Sequence, residues 1–332
     1  MTKMKHGGNV WEQGRPSDWL DFSANLRPEG TPDWVMCAMQ AALESARYYP
    51  DRAMRAARAG LAAYAGVPEA CILPTAGGVA AIDLCVALHP GRVRTEKPSF
   101  GEYTERAATH GRECALWDGR FAAGDLLLLG NPNNPTGSAR SREDVLALYA
   151  QAMRSGAALA VDEAFIDFCP EHSVRKDVSQ GLIVVGSLTK TLCIPGVRLG
   201  YVCAVPEVIA RMERQALPWS LNMLAAEIGA QLPAHMEDVR RDAERNAIRR
   251  ERLTRLLQAC GARVEPSQAN FLLADFGRDM GGTVDRLKAQ HILVRTCASF
   301  GLGGNMLRLA VRTDEENGRL AEALRRDLYD SP

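Results

Sequence analysis

Apolar residues recur along this chain in two rhythms. Residues 33–46 and 54–65 carry the three-to-four spacing of helices with one buried face. From about residue 70 short apolar runs take over, at 71–73, 126–129, 157–161, 182–186 and 199–204. Their length and continuity predict strands covered on both faces. Helical patterns at 78–88, 101–110 and 141–155 lie between several of them. Strands alternating with helices predict an α/β domain on a mainly parallel sheet. The pattern shifts near residue 215. A charge-rich helical stretch over 220–259 leads to short strands at 262–265, 270–274, 292–295 and 306–311, with helices at 283–291 and 315–328. This predicts a smaller α+β unit packed against the first sixty residues. The first thirty residues are polar and aperiodic and predict an ordered arm or a flexible tail. The expected division is 1–46 for the arm and part of the small domain, 47–215 for the large domain, and 216–332 for a linking helix and the small C-terminal domain.

Composition removes several function classes. With 332 residues, 46% of them hydrophobic, the chain can bury a large core. Lys+Arg and Asp+Glu stand at 40 each, so there is no global electrostatic case for binding nucleic acid. Nine scattered cysteines form no CxxC pair, which argues against a disulfide framework and a zinc site. A reducing cytoplasm is the expected location. The opening residues lack the apolar core of a signal peptide, and no run approaches the roughly 18 apolar residues of a membrane span. No metal, membrane or nucleic-acid partner is expected.

Candidate chemistry gathers at strand ends. Asp162 closes the run at 157–161, and the next run leads into Ser187, Thr189 and Lys190. Ligands of open parallel sheets bind at the carboxyl ends of strands. An amine beside a carboxylate at that rim suits pyridoxal 5′-phosphate (PLP): the amine holds the cofactor's aldehyde and the carboxylate faces its ring nitrogen. Ser187, Thr189 and Arg198 supply hydroxyls and a cation for the phosphate. Ala76, Gly77 and Gly78 lead into the helix at 78–88, with Gly78 its first residue, where exposed N–H groups and the helix dipole favour an anion. Asn134, in the NPNNPTG run at 131–137, can point its amide at the ring oxygen. Phe100 can stack on the ring face. Each motif alone is an ordinary turn or core residue; their convergence on one rim is not.

In this order the motifs resemble the fold-type-I PLP-dependent enzymes, and within them the histidinol-phosphate aminotransferase group. The HGGN run at 6–9, FSAN at 22–25 and PWSLN at 218–222 are similar to the threonine-phosphate decarboxylase branch, which serves cobalamin biosynthesis. That resemblance covers nearly the whole chain. It implies a fold-type-I transferase fold, PLP as cofactor, and decarboxylation of O-phospho-L-threonine to 1-amino-2-propanol O-phosphate. It also implies that His6, Gly7, Asn25, Asn134, Arg295 and Arg308 contact the substrate. The resemblance further implies that Tyr49 reaches the cofactor phosphate of a partner subunit, and hence a homodimer. Phe165 stands where aminotransferases place a tyrosine near the ring oxygen. The phosphate turn departs from the family pattern: residues 75–80 read TAGGVA, without the usual Asn and Glu.

The cofactor weakens whichever Cα bond lies perpendicular to its ring, so anion clamps choose between decarboxylation and transamination. Phosphothreonine carries two anions, and Arg295 and Arg308 offer bidentate clamps. Lys190 is the candidate to return a proton to Cα, with a water or tyrosine as competitor. Three alternatives stay open on sequence alone: an aminotransferase of the histidinol-phosphate type, a decarboxylase of phosphoserine or a phosphono analogue, and a non-enzymatic binding module.

Overall fold

The computed structural model describes Gly7, Gly8 and residues 10–329. Four consecutive leucines begin an inner strand of the large sheet, β5 (Leu126–Gly130), and every residue of that strand is buried. Alternation sends Leu127 and Leu129 into one core and Leu126 and Leu128 into the other. Its neighbours β6 (Ala158–Asp162) and β7 (Leu182–Ser187) divide in the same way. A strand covered on both faces has no reason to alternate apolar with polar, hence the continuous runs in the sequence.

The large sheet has seven strands. Besides these three it contains β2 (Ile72–Thr75), β3 (Val93–Thr95), β4 (Cys114–Leu116) and β8 (Gly200–Cys203), in the order β2-β8-β7-β6-β5-β3-β4. β8 alone runs against the direction of the other six strands. The crossover helices are α3 (Gly78–Leu88), α4 (Glu102–Thr109) and α5 (Arg142–Arg154). Ser141 caps α5 by accepting the Asp144 N–H at 3.1 Å.

The helices α1 (Asp33–Leu43) and α2 (Arg55–Ala65) pack on α7 (Met223–Gln231), and side chains of all three join one of the two sheet cores. A third core gathers α8 (Met236–Ala259), α9 (Gly281–Ala289) and α10 (Asp314–Tyr329) against a four-stranded sheet. That sheet holds β12 (Arg295–Thr296), β13 (Met306–Ala310), β10 (Phe271–Asp275) and β9 (Arg263–Val264), in that order.

Several elements differ from the sequence reading. Within the expected arm, Leu20–Asp21 forms a short strand, β1, that the apolar pattern did not mark; it pairs in parallel with β11 (Ile292–Leu293). Phe22 beside it is fully buried in the third core. The helical stretch at 220–259 breaks at a 3-10 turn, Leu232–His235, where Pro233 has no N–H to give an α-helix. Strands β3 and β4 escaped notice because each has only three residues. The helix α6 (Pro206–Gln215), which starts at a proline, was likewise absent from that reading.

Candidate active site

Adjacent parallel strands bring the predicted residues to one rim. Gly130 of β5 pairs with Asp162 of β6, and Asp162 pairs with Val185 of β7. The chain leaving β5 therefore delivers Asn134 beside Asp162, and the chain leaving β7 delivers Thr189 and Lys190. There a cavity of about 280 Å³ is lined by Asn134, Asp162, Phe165, Ser187, Thr189, Lys190 and Arg198. Phe100, Gly78, Asn25, Gly7, Arg295 and Arg308 line it too. Three expected residues do not: Ala76 and Gly77 precede Gly78 in the chain without lining the cavity, and Tyr49 is 82% exposed, with its ring 5.0 Å from that of Trp219. His6 lies outside the described residues.

The turn before α3 presses against a cation. Gly77 has φ +87°, and a Cβ there would lie 2.6 Å from a terminal nitrogen of Arg198. A Cβ on Gly78 would come within 3.2 Å of Ser187 Cβ. Ser187 and Thr189 share a hydrogen bond at 2.9 Å. A helix N-terminus, two hydroxyls and a guanidinium thus surround a space that side chains on the turn would fill, and this donor set matches a phosphate. The Gly77 N–H is spent on the Thr75 carbonyl at 2.8 Å, so the backbone donors this turn offers begin with the first residue of α3, Gly78.

Asp162 is 8% exposed. Its Oδ2 accepts the Tyr103 hydroxyl at 2.8 Å and its Oδ1 accepts the Ala164 N–H at 3.1 Å. Burial pushes its pKa up, opposed by Tyr103, by the Ala164 N–H and by the Lys190 charge. Lys190 moves the other way. Burial, then the charges of Arg308 and Arg198, bring its amine down to about 8. A lysine that loses its proton so readily is a nucleophilic amine close to neutral pH.

Arg295 and Arg308 pair across β12 and β13 and are 8% and 6% exposed. Arg308 donates to Asn134 Oδ1 at 2.7 Å and to the Ser23 carbonyl at 2.6 Å. Its guanidinium lies 5.5 Å from the Phe271 ring centre and 5.8 Å from that of Phe300, and Arg295 lies 5.2 Å from Phe300. Arg295 also donates to Ser299 Oγ at 2.7 Å. Burial and the neighbouring Arg295 press the Arg308 pKa down, yet a guanidinium keeps its charge. Asn25 is 3% exposed, and its Oδ1 has no hydrogen-bond partner within the protein. An orphan acceptor and two buried cations in one cavity await a ligand bearing a donor and an anion.

Sequence reasoning missed Tyr103, Ser23, Ser299 and Phe300. The signal for Tyr103 was its place three residues after Phe100, on the same side of a helix start. Ser23 acts through a backbone carbonyl, which no side-chain pattern announces.

This fold and site place the chain in a family: it belongs to the class I and II aminotransferases, whose model matches residues 17–324. Among individual proteins, it is 35% identical to the threonine-phosphate decarboxylase of Salmonella typhimurium, over 96% of this chain and 95% of that protein. It is 27% identical to the adenosylcobalamin biosynthesis bifunctional protein CobDQ of Leptospira interrogans, over 99% of this chain and 42% of that protein. The crystal structure of L-threonine-O-3-phosphate decarboxylase from Porphyromonas gingivalis superposes with a TM-score of 0.81 at 25% identity, covering 92% of this chain and 98% of that one. Histidinol-phosphate aminotransferases are similar as well; that of Symbiobacterium thermophilum is 31% identical over 93% of this chain and 90% of that protein.

Proposed function

We propose that the cavity binds PLP on Lys190 and that the enzyme decarboxylates O-phospho-L-threonine, giving CO₂ and 1-amino-2-propanol O-phosphate for cobalamin synthesis. The observation that carries the reading is the buried Arg295–Arg308 pair in the same cavity as Lys190 and Asp162. Two adjacent buried cations suit a substrate with more than one anionic group. The similarity to threonine-phosphate decarboxylases over nearly the whole chain supports the choice of substrate.

Bound PLP supplies an electron sink for the bond broken at Cα. The chain's residues then divide the work. Lys190 would hold the cofactor through its aldehyde, and its amine is the group placed to give a proton to the substrate Cα. Asp162 holds positive charge at the ring nitrogen; that cation offsets the burial which otherwise raises its pKa. Gly77, Gly78, Ser187, Thr189 and Arg198 hold the phosphate. The Oδ1 of Asn134 is engaged by Arg308, which leaves its amide N–H₂ to donate to the ring oxygen. Phe100 packs on the ring, and Phe165 closes the ring-oxygen side without a hydroxyl. Arg295, Arg308, Asn25 and the Gly7 backbone orient the substrate, and His6 belongs with them.

The enzyme acts as a homodimer in which Tyr49 reaches the partner's cofactor phosphate. The exposure of Tyr49 at 82% and Leu217 at 78%, together with the half-exposed Trp219, supports an apolar face covered by a second copy. Nine free cysteines support a cytoplasmic location, and no described helix is long and apolar enough to cross a membrane.

The test is a substrate panel: O-phospho-L-threonine, O-phospho-L-serine and histidinol phosphate with 2-oxoglutarate. CO₂ from the first without an amino acceptor supports the reading; amino transfer from the last alone replaces it with the aminotransferase reading.

A further inference from the structure

Tyr103 is almost fully buried at 1% exposed, yet it ends in a polar hydroxyl beside the cavity. A buried hydroxyl that turned away from the protein's own polar groups would cost free energy, and this one spends its proton on Asp162 Oδ2 at 2.8 Å. The fold makes room for the contact. Tyr103 rises from α4, and its oxygen passes over Gly130 at the end of β5, where a Cβ would come within 3.2 Å of it. Gly130 pairs with Asp162, so the hydroxyl crosses one strand to reach the carboxylate on the next. Phe100 braces the ring edge to face, at 5.7 Å and 88°. Tyr103 on one oxygen and the Ala164 N–H on the other fix the plane of the carboxylate.

We propose that Tyr103 is a positioning residue for Asp162: its hydroxyl fixes the carboxylate plane and sets how firmly Asp162 holds the proton on the cofactor's ring nitrogen. The inference rests on the PLP reading above and deepens it. A donor on Oδ2 draws charge from the carboxylate and makes it a weaker base. The shared proton then stays on the ring, where it strengthens the electron sink, rather than moving to Asp162. Two other titratable groups face Asp162: Lys190 from the loop after β7, and the buried Cys85 thiol from α3. Glu96 faces Tyr103 from beyond β3. None of these donates to Oδ2, so removal of the hydroxyl leaves that oxygen without its side-chain donor.

The test compares wild type with Tyr103→Phe, which keeps the ring and its packing. In cofactor-free protein labelled with ¹³C-aspartate, the Asp162 carboxyl resonance, assigned by its loss in Asp162→Asn, titrates at higher pH in the variant. With PLP bound, the pH midpoint of the visible absorbance band shifts relative to wild type. The kcat falls about tenfold, as expected for one hydrogen bond to a charged group, while KM changes less than about twofold. An analogue with carbon in place of the ring nitrogen makes wild type and variant equally slow, an outcome that a general packing defect would not give. Coincident Asp162 titrations and coincident absorbance midpoints overturn the proposal. A wild-type protein with no visible band in PLP overturns the cofactor reading instead, and the carboxyl titration still reports on Tyr103.

Discussion

Arg295 and Arg308 stand opposite each other on adjacent antiparallel strands, both more than nine-tenths buried. Like charges placed together away from water are costly unless an anion joins them. Aromatic faces at Phe271 and Phe300 offset part of that cost. Under the proposed function an anionic substrate offsets the rest, and the pair selects for it.

Arg308→Ala removes one arm of the clamp together with the anchor of Asn134. A charge-assisted hydrogen-bond pair of this kind is worth about 1.5–3 kcal/mol, so kcat/KM for O-phospho-L-threonine falls roughly 10- to 100-fold. Arg308→Lys does not restore it, because a point charge cannot serve both Asn134 and the Ser23 carbonyl. Steady-state kinetics with PLP saturating decides this; wild-type KM in either variant removes Arg308 from substrate binding.

Gly77→Ala tests the phosphate cradle. The added Cβ meets Arg198 at 2.6 Å, and φ +87° suits only glycine. PLP affinity, measured by fluorescence titration, drops by about tenfold or more, at roughly 1.4 kcal/mol per decade. Unchanged affinity places the phosphate elsewhere.

The depressed pKa of Lys190 has a consequence for stability. Folded, its amine titrates at about 8 against an ordinary value of 10.5. Between those limits the unfolded chain binds a proton that the cofactor-free native chain lacks, so this group makes stability rise with pH across that window. Lys190→Met flattens the rise, and it also abolishes turnover and borohydride trapping of PLP. Urea unfolding from pH 8 to 10 measures the slope; identical slopes in the two proteins contradict the assignment.

Much of the site was legible because its residues sit at the ends of strands that the sequence marks plainly. Asp162 follows an apolar run, and Lys190 follows another, so adjacency of strands alone brings them together. Arg295 and Arg308 were legible only through resemblance; their pairing depends on antiparallel register between segments separated by a loop. Tyr103 and Ser23 were not legible, because each acts across elements distant in sequence, one through a hydroxyl over Gly130 and the other through a backbone carbonyl. In the fold, the two-residue strand Leu20–Asp21 was hidden for a similar reason: its partner lies near the other end of the chain. Local pattern carries no signal for such pairings.

The proposed sharing of sites between subunits makes a separate prediction. Lys190→Ala and Tyr49→Ala chains are each poorly active alone. Mixed and re-equilibrated in equal amounts, they form hybrid dimers in which one site has both native residues, and about a quarter of full activity returns. Gel filtration confirms the dimer. No recovery on mixing, with dimers present, shows that Tyr49 serves its own subunit or none.

The fate of one bond decides the proposed reaction most directly. The protein is incubated with PLP and carboxyl-¹³C-labelled O-phospho-L-threonine, without any 2-oxo acid, and followed by NMR. The account predicts that label appears as CO₂ and bicarbonate in equal amount to 1-amino-2-propanol O-phosphate, while PLP stays in its aldehyde form. Label retained in the amino acid, or in a 2-oxo acid formed as PLP is converted to its amine form, contradicts it.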